Sequence, residues 1–328
     1  MNGQTDSGDR WAVEQLEACF GASQTARLMA AWQENWITTR DLDKIQQAGF
    51  TLLRVPFGYR NLQDASGKWL LNADGKIDFS RFDWIVNEAA KRNLYVVLCF
   101  HVWQGQRENY GTISRVSAAS DVARINAAAI WTQMAQHFAG NGTIAGFDIV
   151  NEPEGSPDDV LQKTLYQAVR SQDPERIVIN ESSDYRNYSN PYWKNVVWSA
   201  HYPVKTGGGT SEAQIRQWEI NVGIADHPEI TVPIYLGEIK APNDDITSAR
   251  ELSAALDSRG YSWSVWTYKG VNIGGWAGFN YYSDFRYNLA TDSYNSLLDK
   301  WSKGLIRWQS SAAPTSQYDN QWWFDGFK

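Results

Sequence analysis

Residues 144–153 read Ile-Ala-Gly-Phe-Asp-Ile-Val-Asn-Glu-Pro (IAGFDIVNEP). From Ile144 to Val150 the run has the length and β-branched, aromatic content of a buried strand. Pro153 closes it, because proline has no N–H to give a neighbouring strand. Asn151 and Glu152 therefore sit at the strand's C-terminal end. Upstream, Val122–Phe138 is a long helical pattern stopped by Ala139-Gly140-Asn141-Gly142, and downstream Asp159–Arg170 is a second one. An apolar strand set between helices is the repeating unit of a parallel sheet covered by helices.

The same unit recurs on both sides. Strands are expected over Phe50–Phe57, Leu94–Phe100, Ile177–Asn180, Val196–His201, Val232–Ile239 and Tyr261–Tyr268. Helices are expected over Ala12–Trp36, Thr39–Ala48, Phe79–Lys91, Glu212–Ile224, Ser248–Ser258 and Ser293–Leu305. Seven evenly spaced units predict a (β/α)8 TIM-type barrel, an α/β fold, as a single domain over residues 1–328. The eighth strand belongs before the Thr39–Ala48 helix, yet the first forty residues contain no apolar strand run. It is either very short or lost from this chain. No G-x-G-x-x-G follows the first visible strand and no G-x-x-x-x-G-K-[ST] occurs, so no nucleotide cofactor is expected.

Composition narrows the chemistry. Over 328 residues the formal net charge is −7, which lacks the basic footprint of a nucleic-acid binder. No run of about 18 apolar residues predicts a membrane span. Cys19 and Cys99 cannot build a disulfide framework or a cysteine-rich metal site, and Cys99 reads as a buried thiol within a strand. The four histidines, His101, His137, His201 and His227, show neither H-x-H nor H-E-x-x-H spacing, so no metal is expected. Aromatics are abundant, at 17 Trp, 16 Tyr and 12 Phe. Many of the tryptophans adjoin Gly, Asn or Pro, where flat amphipathic rings suit the C–H faces of sugars.

A barrel of this kind places its active site at the C-terminal ends of the strands. The polar residues found there are Arg54, His101, Asn151, Glu152, Glu181, His201, Tyr202, Glu238 and the stretch Trp266 to Lys269. Glu152 and Glu238 match a specific need. Glycosidic cleavage takes one carboxylic acid to protonate the leaving oxygen and a second carboxylate across the anomeric carbon. Taken alone, Glu238 reads first as a rim ion pair with Lys240 or Arg54. Arg54 itself reads equally as a structural salt bridge. Glu181 is a third candidate carboxylate, ranked below Glu152, and Asp148 reads as a structural polar partner. Trp103 and Gln104, after His101, could line a cleft. Trp193, Trp276 and Phe279 read first as packing residues, and His137 and His227 as structural.

Arg54 in Leu53-Arg54-Val55-Pro56-Phe57, His101 after Leu98-Cys99-Phe100, Asn151-Glu152-Pro153, and Glu238 in Tyr235-Leu236-Gly237-Glu238 together resemble glycoside hydrolase family 5. That is a cellulase-like, retaining β-glycosidase family of clan A. The resemblance covers roughly residues 36 to 305. It implies a β-glucanase or cellulase-like enzyme with Glu152 as acid/base and Glu238 as nucleophile. It implies that Asn151 binds the sugar 2-hydroxyl, and that Arg54 and Tyr202 orient Glu238. His101 and His201 would bind sugar or position the glutamates, and Trp266 would form the platform beneath the sugar.

Two departures stand out. The family usually has His-x-Tyr after its sixth strand, whereas His201 and Tyr202 are adjacent here, which makes Tyr202 a candidate sugar contact instead. The family's first strand is not recognisable. The alternatives are a non-catalytic carbohydrate-binding barrel and a metal-dependent barrel hydrolase. The expected partner is a β-linked polysaccharide or oligosaccharide, with the protein acting as a monomer. Trp32–Asp41 (WQENWITTRD) resembles members acting on β-1,3- or mixed β-glucans. The sequence leaves β-1,4-glucan, xyloglucan and mannan open, and endo against exo cleavage. The polar start Met1-Asn2-Gly3-Gln4-Thr5-Asp6 is unlike a signal peptide, so secretion is expected if a leader was removed and a cytoplasmic location otherwise.

Overall fold

The structure is a computed structural model that describes residues 9–102, 108–109, 112–113, 121–153, 160–271, 277–281, 288–303, 317–319 and 321–327. Trp103, Gln104 and Trp276, named above as cleft or loop candidates, lie outside the described residues.

The chain opens with three helices, α1 (Asp9–Phe20), α2 (Ala22–Trp36) and α3 (Thr39–Gln47). The single helical pattern read over Ala12–Trp36 is broken at Gly21, whose φ of 79° suits glycine and ends one helix before the next begins. A capping box starts α3: Thr38 and Asp41 satisfy each other's first-turn N–H groups. Strand β1 (Leu52–Gly58) follows, then α4 (Ser80–Ala90), β2 (Tyr95–Val102), the short antiparallel pair β3 (Glu108–Asn109) and β4 (Thr112–Ile113), and α5 (Asp121–His137). The middle of the chain alternates β5 (Ile144–Asp148), α6 (Val160–Arg170), β6 (Val178–Glu181), β7 (Val196–His201), α7 (Ser211–Asn221), β8 (Ile234–Ile239), α8 (Ile246–Asp257) and β9 (Ser262–Val265).

Strands β1, β2, β5, β6, β7, β8 and β9 form one parallel sheet in that order. Its edges, β1 and β9, approach each other, so the sheet is a nearly closed barrel. Each strand lies within two residues of its expected bounds, except β9, which ends at Val265 rather than at Tyr268. Where the eighth strand was expected, α1 and α2 stand instead, and the barrel has seven strands among the described residues.

Inward residues fill the barrel in layers. At the base, Val97, Ile179 and Tyr235 pack with Leu52, Ala145 and Val197. The main apolar core lies outside the strands, where Trp131, Phe100 and Phe147 sit between barrel and helices. Trp131 donates its indole N–H to the Ile149 carbonyl, satisfying both groups within that core. A separate cluster of Leu16, Leu28, Ala31, Leu297 and Trp301 ties α1 and α2 to α9 (Tyr294–Ser302).

The chain then adds what its sequence did not announce. Strands β10 (Lys269–Val271), β11 (Phe279–Tyr281) and β12 (Gln317–Asp319) make a second, three-stranded sheet, and α10 (Gln321–Gly326) follows. Trp323 packs on Phe50 ahead of β1, Phe327 on Trp263 of β9, and Phe324 on Tyr268. Helix α10 thus bridges the two edges of the barrel. Near the same seam, the buried Lys269 ammonium lies 2.8 Å from Asp41 and donates to the Trp36 carbonyl. Among the described residues no helix is long and apolar enough to cross a membrane.

Candidate active site

The strand ends converge as expected. Arg54 projects inward from the middle of β1 and its guanidinium holds three partners. Nε donates to Asp148 at 2.9 Å, Nη1 to Glu238 at 2.8 Å and Nη2 to the Asn151 side-chain oxygen at 2.6 Å. Arg54 and Asp148 are almost wholly buried. Burial opposes the charge, but Cys99, Asp148 and Glu238 outweigh it and hold Arg54 well above its ordinary pKa. Asp148 is thus the structural partner inferred from its strand position. Cys99 is buried, and burial pushes its thiol pKa up, as an inert interior cysteine requires.

Glu238 is buried at the end of β8 and collects donors. Arg54 reaches Oε1, the Tyr202 hydroxyl donates to Oε2 at 2.6 Å, and His101 Nε2 lies 3.4 Å from Oε1. Burial alone would raise its pKa, but His201, His101 and Arg54 outweigh that and hold the carboxyl well below the usual carboxylate range. Glu238 is a fixed anion. Lys240, its other possible ion-pair partner, pairs with Asp244.

Glu152 stands across from it. Residues adjacent in a strand normally face opposite ways, yet both Asn151 and Glu152 reach the site. The cause is a φ of 43° at Glu152, left-handed backbone that turns the chain at the strand end. The same device operates at Tyr202, with a φ of 48°. It brings His201 and Tyr202 to the same site although they are neighbours in sequence. Tyr202 therefore reaches Glu238 without the usual intervening residue.

His201 lies among the carboxylates. Its Nδ1 is 2.9 Å from Glu152 Oε1, 3.4 Å from Glu181 Oε1 and 3.8 Å from Glu238 Oε2. Burial opposes a charged imidazole, but Glu181, Glu238 and the bond to Glu152 overcome it and push the pKa up to about 9. Glu181, at the end of β6, accepts the Glu152 main-chain N–H at 2.7 Å. Burial pushes its pKa up to about 7, against the pull of His201. Sequence reading placed Glu181 at the rim without seeing that it touches the main chain of Glu152. The only signal was its position at the end of the strand next to Glu152's own.

Space behind the imidazole is set by Gly237. A Cβ there would meet His201 Nε2 at 2.8 Å and Ser199 Oγ at 3.1 Å, so a side chain at 237 would displace the histidine. On the open side, Trp266 lies parallel to His101, ring centroids 5.5 Å apart at 4°. The Trp266–Thr267 peptide bond is cis. Of the other residues weighed, Trp193 is core, packed on Tyr166 and Tyr192. His137 pairs with Asp83 and stacks on Phe79, and His227 pairs with Glu229.

One oxygen of Glu152, one nitrogen of His201 and one oxygen of Glu238 lie within 4.8 Å of one another. Three such ligands are a minimal set for a divalent ion. Here, however, the Arg54 guanidinium sits 2.8 Å from Glu238 Oε1 and the Tyr202 hydroxyl occupies Oε2. A cation would face the Arg54 charge, compete with the proton held by His201 and displace a short hydrogen bond, so the donor set suits a bare carboxylate better than a metal centre.

Comparison with known proteins agrees with this geometry. The family model for cellulase (glycosyl hydrolase family 5) matches residues 12–272. The chain is 26% identical to glucan 1,3-beta-glucosidase 2 of Saccharomyces cerevisiae, over 72% of this chain and 52% of that protein. It is 25% identical to a beta-xylosidase of Phanerodontia chrysosporium, over 51% of this chain and 38% of that protein. It therefore spans about half or less of the length of these two relatives. Among solved structures, endoglucanase Cel5A of Thermotoga maritima superposes with a TM-score of 0.57 at 22% identity, over 81% of this chain and 90% of that one. That likeness bears on the fold.

Proposed function

The chain belongs to glycosyl hydrolase family 5, and from that premise we propose that it is a retaining hydrolase of β-glucan chains, with Glu238 as nucleophile and Glu152 as acid/base. The observation that carries the reading is the pair of carboxylate oxygens within 4.8 Å across one gap. Retaining enzymes hold their two carboxyl groups about 5–5.5 Å apart, whereas inverting ones leave about 6.5 Å or more for a water between them.

The two carboxylates have been given unlike surroundings, as their tasks demand. Glu238 keeps its charge because three donors face it, so it can attack the anomeric carbon. As that bond forms, the glycosidic C–O bond breaks and the Glu152 proton passes to the departing oxygen. Water then attacks the glycosyl–Glu238 ester. It gives its proton to Glu152 and frees Glu238 as a carboxylate. Asn151 commits its side-chain oxygen to Arg54, which turns its NH2 group toward a sugar hydroxyl. Trp266 beside His101 supplies the stacking face for the ring being cleaved. Similarity to a glucan 1,3-beta-glucosidase supports a β-glucan, with β-1,3 linkages as the first choice.

The test is a panel of β-1,3-glucan, β-1,4-glucan, xyloglucan and mannan, read by reducing ends and product size. It is joined to azide rescue of Glu238→Ala on an activated aryl glycoside. An inverted glycosyl azide from that variant supports the assignment. An inverted azide from Glu152→Ala together with a retained one from Glu238→Ala would reverse the two roles. Inversion of configuration by the wild-type enzyme would overturn the mechanism.

A further inference from the structure

Resting on that reading, we propose that Glu181 is a positioning residue for the acid/base: it anchors the main chain of Glu152 and, together with Glu152, brackets the same edge of His201. The two contacts use different oxygens. Oε2 accepts the Glu152 N–H at 2.7 Å, and Oε1 lies 3.4 Å from His201 Nδ1, which itself sits 2.9 Å from Glu152 Oε1. The three side chains close a triangle whose corners are the acid/base, its imidazole neighbour and a second carboxyl.

The anchor has a reason to exist. Glu152 holds a φ of 43°, a conformation that a non-glycine residue adopts only where its surroundings fix it. A charge-assisted hydrogen bond to its N–H is such a fixture. Glu181 is itself well held. Its carbonyl accepts the Gln162 side-chain N–H from α6, and the next residue, Ser182, donates its N–H to the Ser199 carbonyl on β7. The carboxyl is buried, so its position is set by packing rather than by solvent.

The charge has a role too. Facing Glu181 are Asp148 from β5, Glu152 beyond it, His201 from β7 and Arg54 from β1, with Glu238 of β8 across the imidazole. Above pH about 7 Glu181 ionises and adds a negative charge beside His201 and Glu152. That charge favours retention of the proton on His201, the imidazole that Glu152 also touches.

Two variants separate the anchor from the charge. Glu181→Gln retains an amide oxygen for the Glu152 N–H and removes the charge. KM should stay near wild type. The His201 imidazole, followed by nitrogen-15 NMR without substrate, should titrate lower by about half a unit or more. Glu181→Ala removes both functions. Its kcat/KM on a β-glucan oligosaccharide should fall about tenfold or more. On a dinitrophenyl glycoside, whose leaving group needs no proton, it should fall only about threefold or less. Equal losses on the two substrates, with thermal unfolding unchanged, would reduce Glu181 to a general packing residue and overturn the proposal. So would an unmoved imidazole titration in Glu181→Gln. If instead Glu152→Ala left turnover of the oligosaccharide intact, the functional reading would fall, and the imidazole titration would still judge the contact by itself.

Discussion

Tyr202 is joined to Glu238 twice. Its hydroxyl donates to Oε2 at 2.6 Å and its main-chain N–H donates to the Glu238 carbonyl at 2.9 Å. Tyr202→Phe removes the first bond and keeps the second, so the backbone turn should survive. A hydrogen bond to a charged group contributes about 1.5–3 kcal/mol. The expected result is a loss of about 10- to 100-fold in kcat on an aryl β-glucoside with unchanged thermal unfolding. A variant within twofold of wild type would show that Arg54 and His101 suffice to orient the nucleophile.

Arg54 should matter for folding as well as turnover. Removing it takes the ion-pair partner from the buried Asp148 carboxylate and leaves Glu238 with the histidines alone. Breaking one side of a buried pair costs about 3–5 kcal/mol. Arg54→Met should therefore lower the urea midpoint by that amount of stability. Arg54→Met combined with Asp148→Asn should recover part of it, measured as a double-mutant cycle.

The Asp41–Lys269 pair near the seam gives a prediction far from the chemistry. Both side chains are almost fully buried. Lys269→Met alone strands the Asp41 carboxylate and should cost about 3–5 kcal/mol. Adding Asp41→Asn keeps an acceptor for the Thr38 cap and should restore most of the loss. Activity of the double variant should match wild type. If the single variant unfolds at the wild-type urea midpoint, the pair carries no structural weight.

Stability should carry a pH signature with a definite sign. His201 is raised from 6.5 to about 9 by folding, so its contribution is complete below pH about 6.5 and is lost as pH rises through 9. Glu181 is raised from 4.5 to about 7, so its share is lost between those values. Glu238 is lowered, so its share is present above pH about 4.5 and is lost as pH falls below it. Urea midpoints should thus decline from neutral to pH 9, at up to about 1.4 kcal/mol per unit of pH per group. His201→Asn should flatten the alkaline part of that decline. A midpoint that rose between pH 7 and 9 in wild type and variant alike would contradict the proton balance assigned to His201.

Much of this was legible in the chain. Apolar runs bounded by Gly and Pro located all seven barrel strands, because a strand buried on both faces leaves a continuous hydrophobic record. Asking which polar residues end those strands brought out Arg54, His101, Asn151, Glu152, His201 and Glu238 without any coordinate. What was not legible depends on contacts between distant residues or on backbone that breaks a local rule. The family spaces its His and Tyr by one residue, so the adjacency of His201 and Tyr202 put the role of Tyr202 at Glu238 in question, and the left-handed turn at 202 supplies the contact. Nothing near Asp41 announced Lys269, which lies far along the chain. The closing Trp322-Trp323-Phe324 had no assigned place in the sequence, and the rings of Trp323 and Phe324 pack on Phe50 and Tyr268, on the two sides of the seam.

That last feature has a mechanical meaning. Six strand-to-strand junctions are laced by main-chain hydrogen bonds, while the join between β1 and β9 is bridged by rings from the final helix and by the Asp41–Lys269 pair nearby. The molecule is a cask hooped on every stave but one, with a clasp at the remaining gap. Proteolytic nicking that detaches residues 321–327 should release the clasp, and the cask should spring open along that stave before any other.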